Sequence, residues 1–179
     1  MSTIEQTKQG IPTGAWQADT IHSRVAFEVP YAVAKFTGEV PDFEASLVDG
    51  RLTGSAKIAS VQVKEESFVT HLLAPDFFDA EKHPVVSFSG SDIKRDGDKV
   101  EIDGEITIKG ISQPAKITGT VNGPAVDHAG KTRIGFELET KLDRSKFDMN
   151  WNMPLPNGEP ALSNTVTLKA ELTLVAQEA

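Results

Sequence analysis

The sequence predicts an all-β fold, an eight-stranded antiparallel barrel with a short helical segment covering one end, on three observations. From Lys99 to Val175 polar residues alternate with apolar or small ones at a period of two, the mark of strands with one wet and one buried face. Turn chemistry punctuates these runs at short intervals. One stretch, Glu65 to Leu73, breaks the rhythm as a helix would. About eight such runs fit an up-and-down barrel or a sandwich, and the barrel is preferred. The apolar rows of this half carry no charge, histidine or cysteine, which describes a container better than a catalyst.

Trp16 to Tyr31 opens the fold as a first strand, with Val25, Phe27, Val29 and Tyr31 on one side and Arg24, Ala26 and Glu28 on the other. Phe43, Ala45 and Leu47, the turn Asp49-Gly50, and then Leu52, Gly54, Ala56 and Ile58 read as a hairpin. The alternation next slips by one residue to Val61 and Val63, which predicts a β-bulge near Ala59 and Ser60. Glu65 to Leu73 sets Phe68 and Leu72 four apart behind acidic residues that favour a helix N-terminus, and Ala74-Pro75 stops it. A brief turn over Asp76 to Asp79 and Pro84 lead to a strand around Val86 and Phe88.

Four further inward rows follow. They are Val100, Ile102, Gly104, Ile106, Ile108; then Ala115, Ile117, Gly119, Val121; then Ile134, Phe136, Leu138, Thr140, Leu142; and last Val166, Leu168, Ala170, Leu172, Leu174. Arg95 to Asp98, Asn122 to Pro124 and Asp127 to Gly130 read as the connections between strands. Gly54, Ala56, Gly104, Ala115, Gly119 and Ala170 are small residues on inward positions. They either leave volume for one small ligand or mark bulges and close strand approach, two readings of equal weight.

The chain has 179 residues, enough for one domain with a large core, and no linker composition divides it. The expected organisation is a flexible N-terminal arm over 1–13 and a barrel domain over 14–179. A net charge of −8 without a Lys/Arg cluster argues against nucleic acid and anionic lipid surfaces. With no cysteine, disulfides, thiolate metal sites and thiol nucleophiles are excluded. A polar opening and the lack of a long apolar run predict a cytoplasmic protein without stable membrane insertion.

Motifs for chemistry are weak. Gly130-Lys131-Thr132 resembles the end of a phosphate loop, but Ala125 stands where its first glycine belongs and a strand follows. Asp19, His22 and Ser23 hold the residue types of a hydrolase triad, yet lie too close along one stretch to converge on a substrate. His22, His71, His83 and His128 show no metal-ligand spacing. The expectation is therefore no catalytic residue, no metal and no cofactor.

Four segments together resemble the YceI-like family. They are Asp19-x-x-His22-Ser23-x-Val25-x-Phe27-x-Val29; His71-Leu72 ahead of Asp76 to Asp79 and Pro84-x-x-x-Phe88; Ile106 to Pro114; and Arg144 to Met149. They span roughly Trp16 to Val175. The resemblance implies a lipocalin-like barrel with a helical cover and a long apolar tunnel for a polyisoprenoid chain or the tail of an isoprenoid quinone. It also favours the cavity reading of the small residues. A strand of about ten residues tilted by about 40° makes a barrel about 25 Å tall, room for several isoprene units.

On this reading Phe27, Val29, Phe88, Ile106, Ile108, Ile117, Phe136, Leu138, Phe147 and Leu168 line the tunnel. Phe68, Leu72, Phe77 and Phe78 close one end, and Met149, Trp151 and Met153 belong to a rim over Lys146 to Asn164. Gly119→Phe or Leu138→Trp is expected to lower ligand binding more than stability. The ligand is an apolar small molecule, with a fatty acyl chain as a further candidate, and a homodimer is kept as a further partner. Two rival readings are an enzyme for a lipid-like substrate, which needs Thr140, Ser60, Tyr31 or His22 inside the tunnel, and a ligand-free interaction module with a collapsed interior.

Overall fold

Three strands break in mid-course, and the breaks give the barrel two unlike ends. The computed structural model describes residues 11–177. Its elements are β1 (Ala15–Ala18), β2 (Arg24–Tyr31), β3 (Ala34–Glu39), β4 (Phe43–Val48), β5 (Arg51–Lys57) and β6 (Gln62–Val63). Then follow α1 (Ser67–Leu73), β7 (Val85–Asp96), β8 (Lys99–Ile108), β9 (Ile111–Val126), β10 (Thr132–Asp143) and β11 (Thr165–Ala176). Eight segments form a closed antiparallel ring in the order β1, β4, β5, β7, β8, β9, β10, β11, and β11 pairs back to β1. The other three extend the sheet from β11 through β2 and β3 to β6.

These three are continuations of ring strands. β1 holds the last residues of β11, Leu174 to Ala176, while β2 takes over at Thr167 to Glu171 of the same edge. The break between them is a 3-10 turn over Thr20–His22, where the Asp19 carboxylate accepts from the Ile21 amide at 3.0 Å and lies 2.8 Å from His22 Nδ1. The expected single strand from Trp16 to Tyr31 is therefore two. The expected bulge near Ala59 and Ser60 is likewise a 3-10 turn, Ile58–Ser60. Ser60 Oγ donates to the Lys57 carbonyl at 2.7 Å and accepts from the Asp42 amide at 3.1 Å, which steers the chain from β5 into β6.

Other differences have local causes. β3 is a strand without a sequence signal, because Ala34 to Glu39 offers one large apolar residue, Phe36. Asn122 to Pro124 is not a connection: β9 runs on to Val126, and a register shift between Arg133 and Gly135 of β10 absorbs the irregularity. The first ten residues of the proposed arm lie outside the described residues, whereas Ile11 packs against the core.

Alternation holds where it was expected. In β8, Val100, Ile102, Ile106 and Ile108 are buried while Lys99, Glu101, Asp103 and Glu105 are exposed. β10 buries Ile134, Phe136, Leu138, Thr140 and Leu142 in the same way. At the end of the barrel closed by β1, β4 and β5, the side chains of Trp16, Leu47, Leu52, Val100, Ile102, Val121, Ile134 and Leu174 fill the interior. Two of the inward glycines serve this close packing rather than a hollow. A Cβ on Gly119 would overlap the carbonyl of Glu137 on β10, and one on Gly104 would overlap the carbonyl oxygen of Ser89 on β7.

An ion-pair network ties the turn between β1 and β2 to the turn between β9 and β10. Arg133 Nη1 donates to Asp19 at 2.9 Å and its Nε to Asp127 at 2.6 Å. His22 first and Arg133 second hold the Asp19 carboxyl well below the usual carboxylate range. The Arg133 guanidinium pulls Asp127 down to about 2.

Candidate functional site

At the end opposite the filled core the interior is hollow. A cavity of about 450 Å³ opens there, walled by β2, β3, α1, the segment after it, the 3-10 turn Arg144–Phe147 and the loop leading to β11. A second cavity of about 170 Å³ lies deeper, among β2, β4, β5, β7, β8, β9, β10 and β11. Phe27, Phe78, Ile108 and Leu168 belong to the walls of both, so the two cavities adjoin at these side chains, which form the constriction between them. The Phe27 and Phe78 rings stand edge to face across it, centroids 6.4 Å apart.

From that constriction an aromatic row runs outward. Phe27 meets Phe36 of β3 at 6.3 Å, and Phe36 meets Phe68 of α1 at 5.9 Å. Phe68 is 49% exposed and Met153, on the loop opposite, 54%, so the row ends at an apolar lip. α1 supplies this lip because its seven residues place Phe68, His71 and Leu72 on one face, at helical spacing, with Leu72 buried.

The structure brings most of the predicted wall residues together. Phe27, Val29, Phe68, Leu72, Phe77, Phe78, Ile108, Phe147, Met149, Trp151 and Leu168 line the outer cavity. Phe88, Ile106, Ile117 and Leu138 line the inner one. Phe136 is the correction: it is 2% exposed and lines neither, because its place on β10 opposite Val121 and Leu172 falls in the filled end. Gly119→Phe cannot test the hollow either, since the Glu137 backbone occupies the space its side chain would need. Gly54, Ala56 and Ala170 do border the inner cavity.

Sequence reading did not single out Phe36, Leu142, Leu162 or Val166 as walls. Leu142 and Val166 stand at the same parity as Thr140 and Leu168 in rows already recognised, so strict alternation would have found them. Phe36 went with its unrecognised strand.

Two polar side chains reach the outer cavity besides Tyr31 and the indole of Trp151. His71 is bonded through Nε2 to Asp76 at 3.1 Å, and its ring meets Phe77 at 4.9 Å and Trp151 at 4.6 Å, both edgewise. Arg144 is 3% exposed and holds the rim in place. Its Nε donates to the Ser163 carbonyl at 2.8 Å, its Nη1 to those of Met149 and Trp151 at 2.8 Å each, and its Nη2 to that of Leu162 at 3.4 Å. Burial draws the Arg144 guanidinium below its ordinary pKa.

A closed antiparallel barrel around an apolar pocket with a mouth at one end defines a small-ligand container of the lipocalin type. The chain belongs to the YceI-like family, whose YceI-like domain profile matches residues 16–174. YceI of Escherichia coli O157:H7 is 26% identical over 140 residues, which are 74% of this chain and 73% of that one. The crystal structure of the Campylobacter jejuni YCEI protein superposes with a TM-score of 0.68 at 28% identity, covering 79% of this chain and 85% of that one. A polyisoprenoid binding domain from Saccharophagus degradans, implicated in plant cell wall breakdown, has the same fold at a TM-score of 0.72 and 12% identity, over 90% and 98% of the two chains.

Proposed function

We propose that this protein binds the hydrocarbon tail of a polyisoprenoid or an isoprenoid quinone, for carriage or storage. The observation that carries this reading is the pair of adjoining apolar cavities set in line from the lip at Phe68 and Met153, past Phe27 and Phe78, to the small residues Gly54 and Ala56. A tail enters methyl end first, since the buried side chains beyond the constriction are apolar apart from Thr140, and the charged residues that border this cavity, Glu44, Glu139 and Lys169, are exposed to solvent. The polyisoprenoid-binding description of the Saccharophagus degradans domain supports the same ligand class. A tail of about thirty heavy atoms at roughly 0.3 kcal/mol each is worth about 9 kcal/mol, a sub-micromolar affinity.

Binding needs no covalent step. Of the four polar residues an enzyme would have to use, His22 and Ser60 lie outside both cavities, bonded to Asp19 and to the Lys57 carbonyl. Thr140 borders the inner cavity with its hydroxyl donating to the Lys116 carbonyl at 2.9 Å, and Tyr31 stands at the mouth. Among the described residues no helix is long and apolar enough to cross a membrane.

Calorimetric titration with a prenol of four isoprene units tests the reading. The expected result is saturable 1:1 binding in the wild type, lost in Leu168→Trp, whose indole fills the constriction. No saturable heat, or equal binding by both proteins, overturns it. Turnover of a prenyl ester would favour an enzyme instead.

A further inference from the structure

The outer cavity is apolar almost throughout, and the hydrogen-bonding or ionisable side chains in its wall are Tyr31, His71, Arg144 and the indole of Trp151. Not one of them is a carboxylate. Arg144 is buried, and among the described residues it forms no ion pair; the carboxylate of Asp143, its neighbour in the chain, favours the charged guanidinium without contacting it. Its guanidinium has five N–H groups. Four are used on the carbonyls of Ser163, Met149, Trp151 and Leu162. The fifth, on Nη2, has no acceptor among the described residues. Arginine stays protonated even where burial draws its pKa down, so the charge persists when the cavity is filled.

Arg144 and His71 meet at one residue. The Trp151 carbonyl accepts from Arg144 Nη1, and the Trp151 ring stands edgewise on His71. That places the cation and the imidazole on the wall of the same mouth, where the head of an inserted tail would stop. His71 Nε2 is engaged by Asp76, which leaves Nδ1 for a ligand.

We infer that the mouth is a head-group site selecting amphiphiles whose head presents an electron-rich oxygen, a carbonyl, carboxylate or phosphate, to the remaining N–H of Arg144, against those with an ammonium head. The inference rests on the tail-binding reading and adds a sign to it. A cation seated in low dielectric attracts an acceptor strongly and repels a second cation by as much. A cavity that recognised tails by burial alone would be indifferent to that sign.

The test compares three ligands with one tail: the four-unit prenol, the corresponding carboxylic acid and the corresponding amine, each titrated into the wild-type protein at pH 7.5. The acid is expected to bind tightest and the amine at least tenfold weaker, with the alcohol between them. Equal affinities within a factor of about two, or preference for the amine, overturn the inference while leaving tail binding intact. Absence of binding by all three overturns both. Arg144→Gln, checked for a cooperative melt, is expected to compress the acid-to-amine ratio to about twofold, and a folded variant with an unchanged ratio counts against Arg144. The wild-type series stands whether or not that variant folds.

Discussion

The two ends of this barrel are built from the same alternating strands, yet one is solid and the other hollow. At the solid end β1, β4 and β5 complete the ring, and large side chains such as Phe136 and Trp16 are buried in one core cluster. At the hollow end those strands have given way to β2, β3 and β6, of which β6 pairs with β3 over two residues. There a short helix and the Arg144-clamped loop finish the wall in place of strands. The breaks at Asp19 to His22 and Ile58 to Ser60 therefore do more for function than any single wall residue: they replace ladder by cover, and the cover leaves a mouth.

If close strand contact rather than a void explains the inward glycines, Gly119→Ala is among the severest changes available. Its methyl meets the Glu137 carbonyl, so a loss of about 4 kcal/mol or failure to fold is expected, read by urea denaturation. A variant of near wild-type stability and enhanced tail binding would mean that Gly119 does open volume. Phe136→Ala and Phe68→Ala then separate the ends. Phe136 fills the solid end, and its truncation is expected to cost about 3–5 kcal/mol while leaving the affinity for a prenol unchanged within twofold. Phe68, half exposed at the lip, should cost about 1 kcal/mol of stability and weaken the prenol about fivefold by calorimetry.

Arg144→Met tests the clamp. Four rim carbonyls lose their donor, and about 2–3 kcal/mol of stability should go with them, with amide exchange in 149–163 accelerating more than in β8. Uniform acceleration would show that the loop is held by its packing instead. The smallest effect is electrostatic and belongs to the solid end. Asp19 and Asp127 have folded pKa values depressed by their hydrogen bonds to His22 and Arg133, against about 3.9 in the unfolded chain. Their stabilisation is full above that value and is lost as pH falls through the folded pKa, so the urea midpoint should drop between about pH 4 and 2. Arg133→Gln should flatten that drop.

Most of the barrel could be read from parity alone. The rows of β8 and β10 alternate without error because each has one buried face, and a one-residue slip would have put Glu101 or Glu137 inside; β11 departs at Thr167, which is buried between the half-buried Val166 and Leu168. Legibility failed where local side-chain bonds override periodicity. Asp19 folds its own backbone into a turn, Ser60 bridges two strands, and β3 has one large apolar side chain to announce it. The apolar wall was legible for the same reason as the strands, but parity does not say where along a strand the barrel is filled, and so Phe136 was assigned to the wall. Arg144 was least legible of all. Its four acceptors are backbone carbonyls from a loop of irregular course, and no pattern of residue types encodes them.

Native mass spectrometry of the protein purified gently from its own host, followed by organic extraction, puts the hollow end to trial without choosing a ligand in advance. A long-tailed lipid should ride with the wild-type protein, released by solvent and missing from Leu168→Trp. A bare polypeptide mass in both, with added prenol leaving no adduct on either, would mean that the space behind Phe68 is not a lipid site.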